Sequence, residues 1–355
     1  MVEKMTQPPL GLIGDDECGQ LIAVLEKPYT IKLAKARIPE PEDGEVRVRV
    51  KWVGICGSDL AAYMGIRSLV FLTLPTRLGH EVAGVIDKVG RHVTGLKEGD
   101  RVVLRYVWGA FAQYTVCKPF SVMKIPDNIS LNEASPIELL PGILHAAELG
   151  NINPAKSVLI MGQGVSGLIL TQVVRLFSPR SLVATDLCES KLQLATRFGA
   201  THTYRVPSRE TPTMEVVGKD FADGFDVVIP CLVEGEGMID AIDAAAQNGT
   251  IVMYGCVEPC KKPIDFFKIH RKRLDILSTE PKRDIDNRRF FMEGIELVSN
   301  GLVNTREIVT HTFSLTQIAE AFRLRAAQSC DAIHILIDCG LLPESSPDAC
   351  VTGIE

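Results

Sequence analysis

Along the first third of the chain, apolar residues fall at every second position in several stretches. Val46, Val48, Val50 and Trp52 alternate with Arg47, Arg49 and Lys51. A period of two marks a strand with one buried face, and this strand delivers the chain to Cys56. Leu21–Glu26, Val82–Val89 and Arg101–Leu104 read as further strands, and turn-rich clusters at 39–44 and 95–100 lie between them. Residues 21–125 are therefore expected to be mostly β. Between Asn132 and Leu149 the pattern becomes helical. From Ser157 it changes again: Ser157-Val158-Leu159-Ile160-Met161 is a continuous apolar run, as in a strand buried on both faces of a parallel sheet. Strands are predicted at Leu182–Thr185, Phe225–Pro230, Thr250–Tyr254 and Leu274–Thr279. Helices are predicted up to Phe177, over Lys191–Phe198 and over Met238–Gln247. Strand–helix alternation of this kind reads as an α/β, doubly wound parallel sheet. After Arg289 a helix ends near Gly301, a second covers Leu315–Ala327, and a strand covers Ala332–Asp338.

A chain of 355 residues, 46% apolar and 23% charged, has the length of two domains and the composition of a soluble globular protein. A net charge of −6 gives no reason to expect nucleic acid or an anionic membrane as a partner. The first twenty residues lack the apolar run of a signal peptide, and the most apolar segment, 157–174, is interrupted by Gly162, Gly164 and Gly167. The ten cysteines include no C-x-x-C pair; in so large a chain they read as reduced thiols of a cytoplasmic protein.

Gly162-Gln163-Gly164-Val165-Ser166-Gly167 follows the buried strand and opens a helix, the setting in which G-x-G-x-x-G carries meaning. Gly162 allows the tight turn, Gly164 lets the backbone approach a pyrophosphate, and Gly167 permits close helix–strand packing. The helix start at Val165 offers free N–H groups to phosphates. Asp186 ends the next strand, nineteen residues after Gly167. An acid there accepts from ribose hydroxyls and repels a 2′-phosphate, which favours NAD over NADP.

A second group lies upstream. Gly54-Ile55-Cys56-Gly57-Ser58-Asp59 is followed by Gly79-His80-Glu81. Thiolate and imidazole suit zinc, and adjacent glycines let the backbone fold closely around an ion. Each residue alone also reads as an ordinary core thiol or a satisfied histidine. Together with the spaced glycines from Gly79 to Gly90 and the Rossmann pattern downstream, these segments resemble the zinc-dependent medium-chain alcohol dehydrogenase superfamily. The resemblance is to its sorbitol and threonine dehydrogenase branch and runs from Leu21 to Cys339.

The resemblance implies a GroES-like, mostly-β catalytic domain at 21–153 and 289–340 and a Rossmann NAD-binding domain at 154–288. Residues 1–20 would be an extension and 341–355 a tail. The implied activity is hydride transfer between NAD(H) and a secondary alcohol or ketone, in the branch of polyols, sugars, cyclitols and amino alcohols. Cys56 and His80 would be direct zinc ligands, with Glu81 beside the metal as an alternate ligand. Glu138, seven residues before His145, would be a third ligand, directly or through water; its other reading is a helix-start carboxylate. Ser58 would hydrogen-bond the substrate alcohol, and Asp59 would orient His80. Lys191 matches a position that touches the adenosine ribose, or is a solvated helix lysine. The resemblance also implies a homodimer or homotetramer.

The chain departs from the family in two places. No cysteine lies between Cys56 and Cys117, so the four-cysteine lobe of a structural zinc is missing and one zinc per chain is expected. Position 61, where relatives often carry a proton-relaying histidine, is Ala61; the relay would end in water, or at Tyr63. Arg67, Arg105 and Trp108 would line the substrate pocket if the shortened loop folds inward. His92, His202, His270, His311 and His334 carry no motif and read as structural, and the basic cluster at 270–273 reads as a solvated face. Zinc-free, NADPH-dependent quinone or enoyl reductases share the fold, but Cys56 with His80, and Asp186, argue against them. The full set of site residues argues against a non-enzymatic nucleotide-binding protein.

Overall fold

The computed structural model describes residues 9–14, 17–66, 73–255, 258–279 and 284–340, with side chains from 288 onward in the last segment. In chain order the first elements are β1 (Gln20–Lys27), β2 (Thr30–Ala36), β3 (Val46–Gly54), α1 (Gly57–Met64), β4 (Glu81–Val89), β5 (Arg101–Leu104), β6 (Tyr114–Cys117), β7 (Val122–Lys124), α2 (Leu131–Ala134) and α3 (Leu140–Leu149). There follow β8 (Ser157–Met161), α4 (Val165–Leu176), β9 (Ser181–Asp186), α5 (Glu189–Arg197), β10 (His202–Arg205), α6 (Thr213–Val217), β11 (Phe225–Pro230), α7 (Gly237–Ala244) and β12 (Ala245–Met253). The last are α8 (Phe266–Lys272), β13 (Asp275–Ser278), α9 (Asp284–Ser299), β14 (Val309–Ser314), α10 (Ile318–Ala326) and β15 (His334–Asp338). These elements fall into two compact units, Met1–Glu138 with Thr305–Glu355, and Leu139–Asn304.

The first unit is built on a sheet in the order β14-β15-β3-β4-β5-β7, with β6 also paired to β3. Its β3 obeys the alternation read from the sequence as far as Val50; a register shift follows, so Trp52 is half-buried and Val53 is buried instead. Val46, Val48 and Val50 are fully buried, while Arg47 turns outward to Asp87 and Glu40 at 2.6 and 2.7 Å. The core gathers Ile55, Leu60, Leu78, Val82, Phe111 and Phe322. The last residue of β3, Gly54, pairs in register with Glu81 on one side and Leu336 on the other. The end of β3 and the start of β4 therefore meet beside β15, where the chain leaves β3 for Cys56.

The second unit holds six parallel strands in the order β10-β9-β8-β11-β12-β13. Numbered within the unit this is 3-2-1-4-5-6, the order of dinucleotide-binding folds. Every residue of β8 is buried, as the apolar run requires. Its core centres on Leu159, Val183, Phe225, Val228 and Ile251.

Three expectations change. The helix expected over Asn132–Leu149 is broken into α2, a 3₁₀ turn at Ser135–Leu139, and α3. Pro136 and Pro141 explain the break, since neither has an N–H to continue the ladder. The stretch expected to be mostly β contains α1, a helix of eight residues closed by Gly65 at φ +69°. Its length is too short to show a helical period. Finally, the cysteines are not all reduced: Cys18, Cys188 and Cys330 are disulfide-bonded, while Cys56, Cys117, Cys260 and Cys339 are free thiols. Pairing depends on Cβ separations in space, which spacing along the chain does not report. Residues 1–8 and the tail at 341–355 lie outside the described residues.

Candidate metal and nucleotide sites

Cys56 is the N-cap of α1, extended at φ −73° and ψ 162°. Its N–H donates to Asp59 Oδ2 at 3.1 Å, and Asp59 Oδ1 accepts from the Gly79 N–H at 2.9 Å. One wholly buried carboxylate thus closes a capping box and ties the Cys56 turn to the segment carrying His80 and Glu81. His80 Nδ1 lies 3.6 Å from the same Asp59 oxygen, the placement expected of an orienting carboxylate.

Ligand atoms of Cys56, His80 and Glu81 all lie within 4.8 Å of one another. His80 Nδ1 and Glu81 Oε2 are buried without a hydrogen-bond partner. Buried polar atoms are normally satisfied, so the convergence of S, N and O donors beside an unsatisfied Glu81 oxygen fits a metal ion, and the donor types suit zinc. Gly54 makes the space: a Cβ there would stand 2.0 Å from Glu81 Oε2.

The charges are tightly coupled. Burial, and then Glu81, push the Cys56 thiol up, with His80 opposing. Burial disfavours charge on His80, but Asp59 and Cys56 outweigh it and hold its pKa well above the ordinary value. Burial would raise Glu81; His334 and His80 outweigh it and lower its pKa.

Glu138 is not part of the three-donor group. It sits in the 3₁₀ turn, where Arg105 Nη1 donates to its carbonyl at 2.6 Å and to its Oε1 at 3.2 Å. Burial raises its pKa and Arg105 opposes the rise. The loop after β5 does fold inward: Trp108 stacks on His80 with centroids 4.3 Å apart, and the buried Arg77 guanidinium donates to the Gly109 carbonyl at 2.7 Å. Burial lowers the Arg77 pKa to about 10. Ser58 is half-buried at the start of α1. Tyr63 is core, packed on Tyr29 and Phe322 at 5.4 and 4.9 Å. Arg67 lies outside the described residues.

Two residues near the cluster carry no motif. His334, the first residue of β15, is wholly buried with Nε2 3.2 Å from Glu81 Oε2. Arg325 on α10 has its Nε buried without a partner; burial lowers its pKa, and Cys56 and Glu81 oppose that. Neither was legible in the sequence, because a lone histidine opening a strand looks like any satisfied core histidine.

In the second unit the three glycines meet three different constraints. Gly162 has φ +89°. Gly164 caps α4 and faces open space, whereas a Cβ on Gly167 would stand 1.9 Å from the Gly162 carbonyl oxygen. Val165 is the first residue of α4. The Asp186 carboxylate accepts from the Gln163 N–H at 2.6 Å and the Cys188 N–H at 2.8 Å, which fixes it beside the glycine turn. Lys191 is half-buried on α5.

Comparison with known proteins places a domain family on each of the two units. A family model described as the alcohol dehydrogenase GroES-like domain matches residues 42–127, and one described as zinc-binding dehydrogenase matches residues 166–281. The chain is 30% identical to sorbitol dehydrogenase of Bacillus subtilis over 342 residues, covering 86% of this chain and 93% of that one. It is 30% identical to D-xylulose reductase of Saccharomyces cerevisiae over 354 residues, covering 89% and 96%. Among solved structures, an Escherichia coli CFT073 protein described as a short chain alcohol dehydrogenase, complexed with NADH, superposes with a TM-score of 0.79. It shares 25% identity, over 91% of this chain and all of that one. On its sequence and its two-unit fold, the chain belongs to the zinc-dependent medium-chain alcohol dehydrogenase superfamily and is an alcohol oxidoreductase.

Proposed function

We propose that this protein is an NAD-dependent, zinc-dependent dehydrogenase that interconverts a secondary alcohol and its ketone. The substrate class is a polyol, sugar, cyclitol or amino alcohol. The convergence of a half-buried Cys56 with the buried His80 and Glu81 carries the reading. Zinc, when bound, supplies a Lewis acid that lowers the pKa of a substrate hydroxyl, and NAD supplies the hydride acceptor. Cys56, His80 and Glu81 hold the ion, and Asp59 holds the first two in place. Ser58 receives the hydroxyl proton at its Oγ and passes it to water, since Ala61 has no titratable group and Tyr63 is packed in the core. Glu138, kept in place by Arg105 and outside the three-donor group, would reach the ion through water. In the second unit Asp186 accepts from the ribose hydroxyls and disfavours a 2′-phosphate, while Gly164 and Val165 leave the helix start open to the pyrophosphate and Lys191 reaches the ribose. One zinc per chain follows from the lack of any cysteine in the connection at 105–113. The polyol class is supported by relatives named for sorbitol and D-xylulose.

Purified protein given sorbitol, xylitol or a related polyol should form NADH and should prefer NAD to NADP. Ser58→Ala should cut turnover more than about tenfold, because positioned proton transfer contributes ~10²–10⁴-fold. Unchanged turnover in that variant removes Ser58 from the mechanism, and a preference for NADP overturns the role of Asp186.

A further inference from the structure

We propose that His334 is a positioning residue for Glu81: its imidazole fixes the carboxylate's orientation and so sets how tightly the Cys56–His80–Glu81 group holds a metal. This rests on reading that group as a metal site. His334 opens β15, and its side chain is 0% exposed against 1% for Glu81, with 3.2 Å between Nε2 and Oε2. An ordinary core histidine has its ring nitrogens satisfied. Here Nδ1 and Nε2 both lack a hydrogen-bond partner, as does Glu81 Oε2. The two side chains lie within hydrogen-bonding distance of each other, and, against burial, His334 lowers the Glu81 pKa.

The space they share exists because residue 54 is glycine. A Cβ there would stand 2.0 Å from Glu81 Oε2, 2.6 Å from His334 Cε1 and 2.7 Å from His334 Nε2. The register explains the meeting: β3 lies between β4, which Glu81 opens, and β15, which His334 opens. The converging donors are Cys56, His80 and Glu81, without His334. The imidazole therefore acts through Glu81, as the supporting partners of metal ligands generally do.

The test uses three full-length variants, with zinc affinity measured by competition with a chelator and thermal unfolding measured on the zinc-free proteins. His334→Gln keeps an N–H that reaches Glu81. His334→Leu keeps bulk without a donor, and His334→Asn keeps a donor that falls short. Leu and Asn should weaken zinc by about tenfold or more while Gln stays within about threefold, the range seen when a ligand's supporting partner is lost or kept. Should the Leu variant not fold, the contrast between Asn and Gln decides alone. Equal zinc affinity in all variants, whatever their unfolding temperatures, overturns the inference and leaves His334 a packing residue. A wild-type protein that binds no zinc instead overturns the metal-site reading beneath it.

Discussion

A methyl group on Gly54 would stand 2.0 Å from a Glu81 carboxylate oxygen, far inside van der Waals contact. Something must move, and the buried carboxylate is hemmed in by His334 and His80. Gly54→Ala should therefore lower zinc affinity by about tenfold or more, comparable to losing a ligand's support, while leaving the circular dichroism spectrum of the zinc-free protein unchanged. An alanine variant that holds zinc normally would show that Glu81 does not need this space. Gly167 is constrained just as severely, by the Gly162 carbonyl oxygen at 1.9 Å, and its role was legible because the G-x-G-x-x-G pattern assigns each glycine a separate task. The convergence of Cys56, His80 and Glu81 was expected from the resemblance of their glycine-rich segments to the family, whereas Glu138, expected as a third ligand, lies outside that group. His334 was not legible, since its meaning comes from the strand beside it and not from its neighbours in sequence.

Elements in the second unit are tied at their ends by side chains as well as by the ladder. The Ser157 N–H and hydroxyl both donate to Asp226 Oδ2, at 2.8 and 2.9 Å, and the Asp226 N–H returns a bond to Ser157 Oγ at 3.0 Å. This locks the start of β8 to β11. Asp226→Ala should cost ~1–3 kcal/mol in urea unfolding, the penalty for leaving partly buried donors unpaired. Burial opposes the Asp226 charge, but the two Ser157 bonds, together with Lys156 and Arg180, outweigh it and lower the pKa. A carboxylate whose pKa falls on folding contributes fully above the unfolded carboxylate range, and the contribution fades as pH drops through the lowered folded value. The difference between wild type and variant should accordingly shrink in acid; a difference that persists there would assign the effect to packing. At this scale β8 was the easiest strand to read, because burial on both faces leaves an unbroken apolar run. The break between α2 and α3 was missed although Pro136 and Pro141 announce it, and with it the turn that hands Glu138 to Arg105.

For the molecule as a whole, the chemistry divides between two compact units, one carrying the cluster of Cys56, His80 and Glu81 and the other the glycine turn with Asp186. Each pattern has ordinary readings taken alone. Their presence in one chain, with the strand order 3-2-1-4-5-6 in the second unit, makes an alcohol oxidoreductase of the zinc-dependent family. The fold class followed from strand–helix alternation, which is a local property of sequence. Cysteine pairing and the company of His334 are properties of the folded chain and could not be read that way. The claim on which the rest depends is that a single zinc sits on Cys56, His80 and Glu81. Metal analysis of protein purified without chelator tests it most directly. The account predicts one equivalent of zinc per chain, lost in Cys56→Ser; no zinc in wild-type protein, or zinc retained by that variant, would contradict it.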